Sequence, residues 1–89
     1  MRNKNDDTLN ANSPLGVWLV HLAAQHNVSI TKIARAVGAS RQTIYNWGHG
    51  RQMLSVFQPR VQKIVSILKN TKQEEEAWRK ICQAFDLSF

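Results

Sequence analysis

Cysteine is almost absent from this chain of 89 residues. Its one thiol, Cys82, has no second cysteine to pair with, so no internal disulfide can staple the fold. A reducing, cytoplasmic setting fits that usage. Long hydrophobic runs are also missing. The longest, residues 17–24, is broken by His21 and falls well short of the roughly 20 apolar residues that cross a bilayer. No basic-then-apolar leader opens the sequence, so neither secretion nor membrane insertion is expected. Metal-ligand and catalytic groupings are lacking as well. His21, His26 and His49 do not share a helical face and have no cysteine or carboxylate partners at zinc spacing. No glycine-rich phosphate loop appears, and no serine or cysteine is grouped with a base and an acid. The expectation is a protein that is not an enzyme and uses no cofactor or metal.

Acidic side chains are scarce, and their distribution is uneven. Six Asp and Glu stand against twelve Lys and Arg, a formal charge of +6 that would attract a polyanion. Residues 30–72 carry Lys32, Arg35, Arg41, Arg51, Arg60, Lys63, Lys69 and Lys72 and no acid. The acids lie outside that stretch, at Asp6, Asp7, Glu74, Glu75, Glu76 and Asp86. Such segregation points to a polyanionic partner more strongly than net charge alone. The length allows one domain, with about two-thirds of its unfolded surface buried and hence a thin core.

The periodicity predicts an all-α, compact five-helix domain. Residues 1–12 are polar and read as a flexible N-terminal arm. Residues 13–70 carry four helices. Ser13 before Pro14 marks the first start, with Pro14 as the first helical residue, and Leu15, Trp18, Leu19, Leu22 and Ala23 share a face. Asn27 suits a left-handed stop. Ser29 caps a second helix with Ile30, Ile33, Ala34 and Val37 inward, ended by Gly38. Ser40 caps a third with Ile44 and Trp47 inward, ended by Gly48 and Gly50. Ser55 with Gln58 reads as a capping box that starts a fourth near Val56, whose stripe is Val61, Ile64, Val65 and Leu68. A second box, Thr71 with Glu74, opens the C-terminal helix of residues 71–89, whose acidic first turn suits the positive end of the helix dipole.

Residues 30–49 are the most informative stretch. Ala34 is small where a second short helix must pass, Gly38 suits a turn that requires positive φ, and Ser40 satisfies open amides of the helix that follows. Ile33, Val37, Ile44 and Trp47 would lock both helices onto the rest. In these positions the chain resembles the helix-turn-helix of the phage repressor and Cro-like family of transcriptional regulators. The pattern is Ala34, Gly38 four positions on, Ile44 six beyond that, and Trp47 three later. The likeness runs from about Leu15 to Leu68. Gly48 stands where the family commonly has glutamate and Leu54 where it has proline, whereas Gly50 and Arg51 match its basic turn.

The resemblance implies a sequence-specific regulator of transcription, expected to be a repressor in a bacterial or phage-infected cytoplasm, which reads the major groove of double-stranded DNA with residues 40–49. Base contacts would come from Arg41, Gln42, Tyr45, Asn46 and His49, with Arg41 suited to guanine and Gln42 to adenine. Phosphate contacts would come from Thr31, Lys32, Ser40, Thr43 and Arg51, with Arg2 and Lys4 of the arm reaching along a groove. On the C-terminal helix, Trp78, Ile81, Phe85, Leu87 and Phe89 admit two readings: they complete the core, or they form the face of a homodimer on a palindromic operator. The alternative function is an antitoxin or phage accessory module whose C-terminal helix grips a partner protein. RNA binding is weaker, because few exposed aromatics are available to stack bases. Cys82 lies on the apolar stripe and reads as a buried, inert thiol.

Overall fold

The computed structural model describes Leu9 and residues 13–88. The expectations for the arm, Arg2 and Lys4 included, and for Phe89 lie outside the described residues. Among the described residues there are five α-helices and no strand: α1 (Leu15–Gln25), α2 (Ile30–Val37), α3 (Arg41–Gly48), α4 (Gln58–Asn70) and α5 (Glu74–Phe85). None is long and apolar enough to cross a membrane.

The ends of α1, α2 and α3 follow from local chemistry. Ser29 Oγ accepts the Lys32 amide at 3.2 Å and Ser40 Oγ accepts the Thr43 amide at 3.1 Å, so each hydroxyl satisfies one of the open donors of a first turn. Asn27 closes α1 with φ 56°, and the Val28 amide reaches back to the Ala23 carbonyl at 2.8 Å. Gly38 closes α2 with φ 84°. That left-handed conformation carries a penalty for any residue with a Cβ.

Three helix starts differ from the expectation. Pro14 stands just outside α1 with ψ 149°, its carbonyl taking the Val17 and Trp18 amides, so the helix begins at Leu15. The proline ring fixes φ and leaves ψ free to be extended. The box at Ser55 does not form. Residues Ser55–Phe57 make a 3-10 turn, and Phe57 precedes α4 with no side-chain cap. The Phe57 ring packs edge-on against Trp47, with centroids 5.3 Å apart, which tightens the chain there. Thr71 caps nothing downstream. It ends α4, buried, with its hydroxyl donating back to the Ile67 carbonyl at 2.7 Å, and Gln73 precedes α5 without a side-chain cap.

One core joins the helices. Leu19, Ile33, Ile44, Val61, Ile64, Leu68 and Ile81 are wholly enclosed, with Trp47 nearly so. α1 and α3 cross where side chains are smallest. Gly16 lies against Trp47, where a Cβ would overlap the Trp47 Cβ, and a Cβ on Gly48 would come within 3.0 Å of Val20 Cγ2. Gly48, where the resembled family commonly has glutamate, therefore has a packing reason in this chain. His26 fastens the end of α1 to the end of α4. Its ring nitrogens lie 3.0 Å from the Leu22 carbonyl and 2.8 Å from the Thr71 carbonyl. A carbonyl only accepts, so both contacts are hydrogen bonds when the ring carries both protons.

The C-terminal helix completes this core. Ile81 is 0% exposed, so it offers no surface to a second copy, and the dimer expectation is corrected at that residue. Trp78, Phe85 and Leu87 are half-buried against the chain's own core. Basic side chains cover them. Lys32 Nζ sits 5.5 Å from the Trp78 ring centre, and the Arg60 guanidinium 4.5 Å from that of Phe85. Arg60 Nε also donates to the Ala36 carbonyl at 2.7 Å, and Arg35 donates to the Ser88 carbonyl at 2.6 Å. Cys82 is enclosed, as expected. Burial pushes its thiol above the usual range, opposed by the positive charges of Arg35 and Lys32.

Candidate nucleic-acid interface

Eight residues make α3, and their spacing divides it cleanly. Ile44 and Trp47 are buried, whereas Arg41, Gln42, Tyr45 and His49 are exposed on the opposite side. Tyr45 is 48% exposed, one of three large hydrophobic side chains so displayed among the described residues. A phenol displayed to this extent on a helix face is available to a partner. His49 is oriented by its own helix, with Nδ1 3.1 Å from the Tyr45 carbonyl. Since that oxygen can only accept, Nδ1 carries the proton and Nε2 is left for a partner. Gln42 Nε2 donates to Asn46 Oδ1 at 3.1 Å, one turn along the same face.

Beside this face runs a groove of about 500 Å³ between α3 and the segment that leads to α4. Its floor is apolar, from Ala39, Trp47 and Phe57, and its polar edge holds Ser40, Thr43, Asn46 and Arg51. The Arg51 amide donates to the Asn46 carbonyl at 3.0 Å, which fixes the loop against the end of α3. Ser40 Oγ and Thr43 Oγ1 are bonded to one another at 2.9 Å. An anionic strand with apolar sugars suits such a groove, because hydroxyls, amides and one guanidinium rim a floor without acids.

The structure gathers some of the expected residues and separates others. Ser40, Thr43 and Arg51, three of the five expected at phosphate, share the groove. Thr31 is exposed in the first turn of α2. Lys32 beside it turns toward α5 and lines a different recess, about 370 Å³, together with Trp78, Arg79, Glu74 and Glu75. Two carboxylates make that recess a poor seat for a phosphate backbone. Asn46, expected at a base edge, lies half-buried at the rim of the groove. Gln52 and Leu54 also line the groove and were missed in the sequence. The loop there has no periodicity to mark a face. No group of three or more His, Cys, Asp or Glu that could hold a metal ion occurs among the described residues.

Comparison with family models, with curated proteins and with solved structures returns no match.

Proposed function

We propose that this chain is a sequence-specific double-stranded DNA-binding protein in which α2 and α3 act as a helix-turn-helix. α3 enters the major groove, and the neighbouring groove takes one phosphate strand. The observation that carries the reading is the pairing of two surfaces on α3: an exposed face of Arg41, Gln42, Tyr45 and His49, and beside it an acid-free groove that gathers Ser40, Thr43 and Arg51. Arg41 and Gln42 stand in the first turn of α3, the part of a recognition helix that approaches base edges. Regulation of transcription, as a repressor in a bacterial or phage-infected cell, is the role proposed for such binding.

A homodimer on a palindrome belongs to the same proposal, because one eight-residue helix spans few base pairs. The alternative of a partner-protein module draws little support from α5, whose apolar side is taken up by the chain's own core and by basic side chains laid over it.

The test is selection from a random duplex library at about 0.15 M salt, where non-specific contacts are substantially weakened. An enriched sequence supports the reading, and half-sites about 34 Å apart support the dimer. Arg41→Ala is expected to cost about 1–3 kcal/mol on the selected site and to relax specificity at one position. A retained pool with no enriched sequence overturns the proposal.

A further inference from the structure

The recess of about 370 Å³ beside Lys32 lies where the chain leaves α1, where α2 begins, and along the first two turns of α5. Its apolar wall is made by Val28, which is buried, and Trp78, which is half-buried. Around that wall stand two carboxylates, Glu74 and Glu75, and two cations, Lys32 and Arg79, all four exposed. His26 lines the recess as well, but its ring nitrogens face the Leu22 and Thr71 carbonyls, so it serves as wall.

The four charges are not spent on one another. Glu75 and Arg79 stand one turn apart on α5, the spacing of a favourable pair. Yet none of Glu74, Glu75 and Arg79 makes an ion pair or a side-chain hydrogen bond among the described residues. Lys32 Nζ lies 5.5 Å from the Trp78 ring centre. That contact engages its charge, and its N–H groups remain able to donate. Two cations and two carboxylates give the recess no net charge. A ligand with a charge of one sign meets as much repulsion as attraction there. A zwitterion with an apolar body meets both signs and the aromatic wall together. The volume falls at the small end of ligand pockets, which suits a metabolite the size of an amino acid.

We infer that this recess binds a free α-amino acid with an apolar side chain. The carboxylate accepts from Lys32 and Arg79, the ammonium donates to Glu74 and Glu75, and the side chain lies against Trp78 and Val28. Both charged groups of such a molecule sit on one carbon, so one small ligand presents them to both pairs. A longer peptide carries them at its two ends and does not. Bound there, the ligand ties α2 to α5 and keeps Lys32 in the recess. The inference does not depend on DNA binding.

The experiment titrates the isotope-labelled full chain with L-phenylalanine and follows the indole N–H resonances of its three tryptophans by NMR. A saturable shift of the Trp78 resonance is expected, with that of buried Trp47 unmoved. N-acetyl-L-phenylalanine lacks the ammonium, and L-phenylalanine amide lacks the carboxylate. Each is expected to bind about 2- to 30-fold more weakly, the worth of two exposed charge pairs. Glu74→Gln/Glu75→Gln is expected to bind phenylalanine no better than its N-acetyl form. Lys32→Gln/Arg79→Gln is expected to bind it no better than its amide. All four side chains are exposed, so both double variants are expected to keep the parent's circular dichroism. No saturable Trp78 shift up to the solubility limit of phenylalanine overturns the inference. A blocked analogue that binds the parent as tightly as phenylalanine does so too, as does an equal shift from a mixture of acetate and ammonium salts.

Discussion

Replacing Gly16 by alanine tests the idea that α3 is set by its crossing with α1. Helix propensity alone says the change is favourable, since alanine in a helix interior is worth up to about 1 kcal/mol over glycine. The crossing says otherwise. A Cβ at Gly16 would overlap the Trp47 Cβ and stand 3.0 Å from the Trp47 carbonyl oxygen. Neither atom can rotate away, because one is fixed to the backbone and the other belongs to it. The two helices must separate, and overpacking of this kind costs about 1–3 kcal/mol, at times more. With an obstacle this rigid, Gly16→Ala is expected to lose about 2 kcal/mol net of the propensity gain. In a domain of this size that is a fall of about 8–16 °C in the melting midpoint.

Two other glycines serve as controls. A Cβ at Gly48 meets a Val20 methyl at 3.0 Å, and a methyl can shift, so Gly48→Ala is expected to stay within about 1 kcal/mol of the parent. Gly38 has nothing within 4 Å of a new Cβ but has φ 84°, so Gly38→Ala is expected to cost about 1–2 kcal/mol through the backbone alone. Urea and thermal unfolding followed by circular dichroism, with an unchanged urea slope, measure all three. A Gly16→Ala variant as stable as the parent, or less affected than Gly38→Ala, refutes the reasoning.

Three further perturbations follow from the same contacts. His26→Ala removes both ring contacts between the ends of α1 and α4, and a loss of about 1–2 kcal/mol is expected in urea unfolding. The buried Cys82 thiol ionises less readily folded than unfolded. Its share of stability is therefore intact below the ordinary thiol pKa of about 8.5 and falls as pH rises above it, a slope that a Cys82→Ala variant is expected to lack. In salt titrations of DNA binding, Arg51→Ala is expected to reduce the slope by about one unit. Lys32→Ala is expected to reduce it by clearly less, since Lys32 lies over Trp78 beside Glu74 and Glu75. Equal reductions would show that Lys32 leaves α5 to meet phosphate.

What the sequence disclosed was decided within a turn or two of chain. Ser29, Ser40, Gly38 and Asn27 end helices through bonds to residues three to five positions away, so their roles can be read without a fold. Amphipathic spacing likewise placed Ile33, Ile44 and Trp47 inside. The misread features depend on distant partners. Thr71 has the spacing of a capping box, but its hydroxyl finds the Ile67 carbonyl and its own carbonyl finds His26, 45 positions away. Ser55 makes no cap: residues Ser55–Phe57 wind as a 3-10 turn, and Phe57 packs on Trp47, ten positions back. Gly16 gives no local sign of its use, since its reason is a residue on another helix. The bond between Gln42 and Asn46 was within reach, because side chains four apart on a helix are neighbours.

The acid-free stretch is one run in the sequence, and the fold scatters its cations, with Lys69 laid over the Trp18 ring of α1. Arg35, Arg60, Lys63 and Lys32 turn toward α5 and its tail, where they lie over Trp78 and Phe85 or, for Arg35, donate to the Ser88 carbonyl, and Arg60 also donates to the Ala36 carbonyl of α2. Arg41 and Arg51 stay with α3 and its groove. A count of cations over residues 30–72 therefore overstates the charge a DNA strand would meet at α3. The apolar stripe of α5, in turn, is only partly open to a second copy, because those same cations lie across it. Both effects have one cause. The thin core of an 89-residue chain recruits long basic side chains as cover over its half-buried aromatic rings. In the proposed complex the cations left at α3, Arg41 and Arg51, then count for more than the net charge of +6.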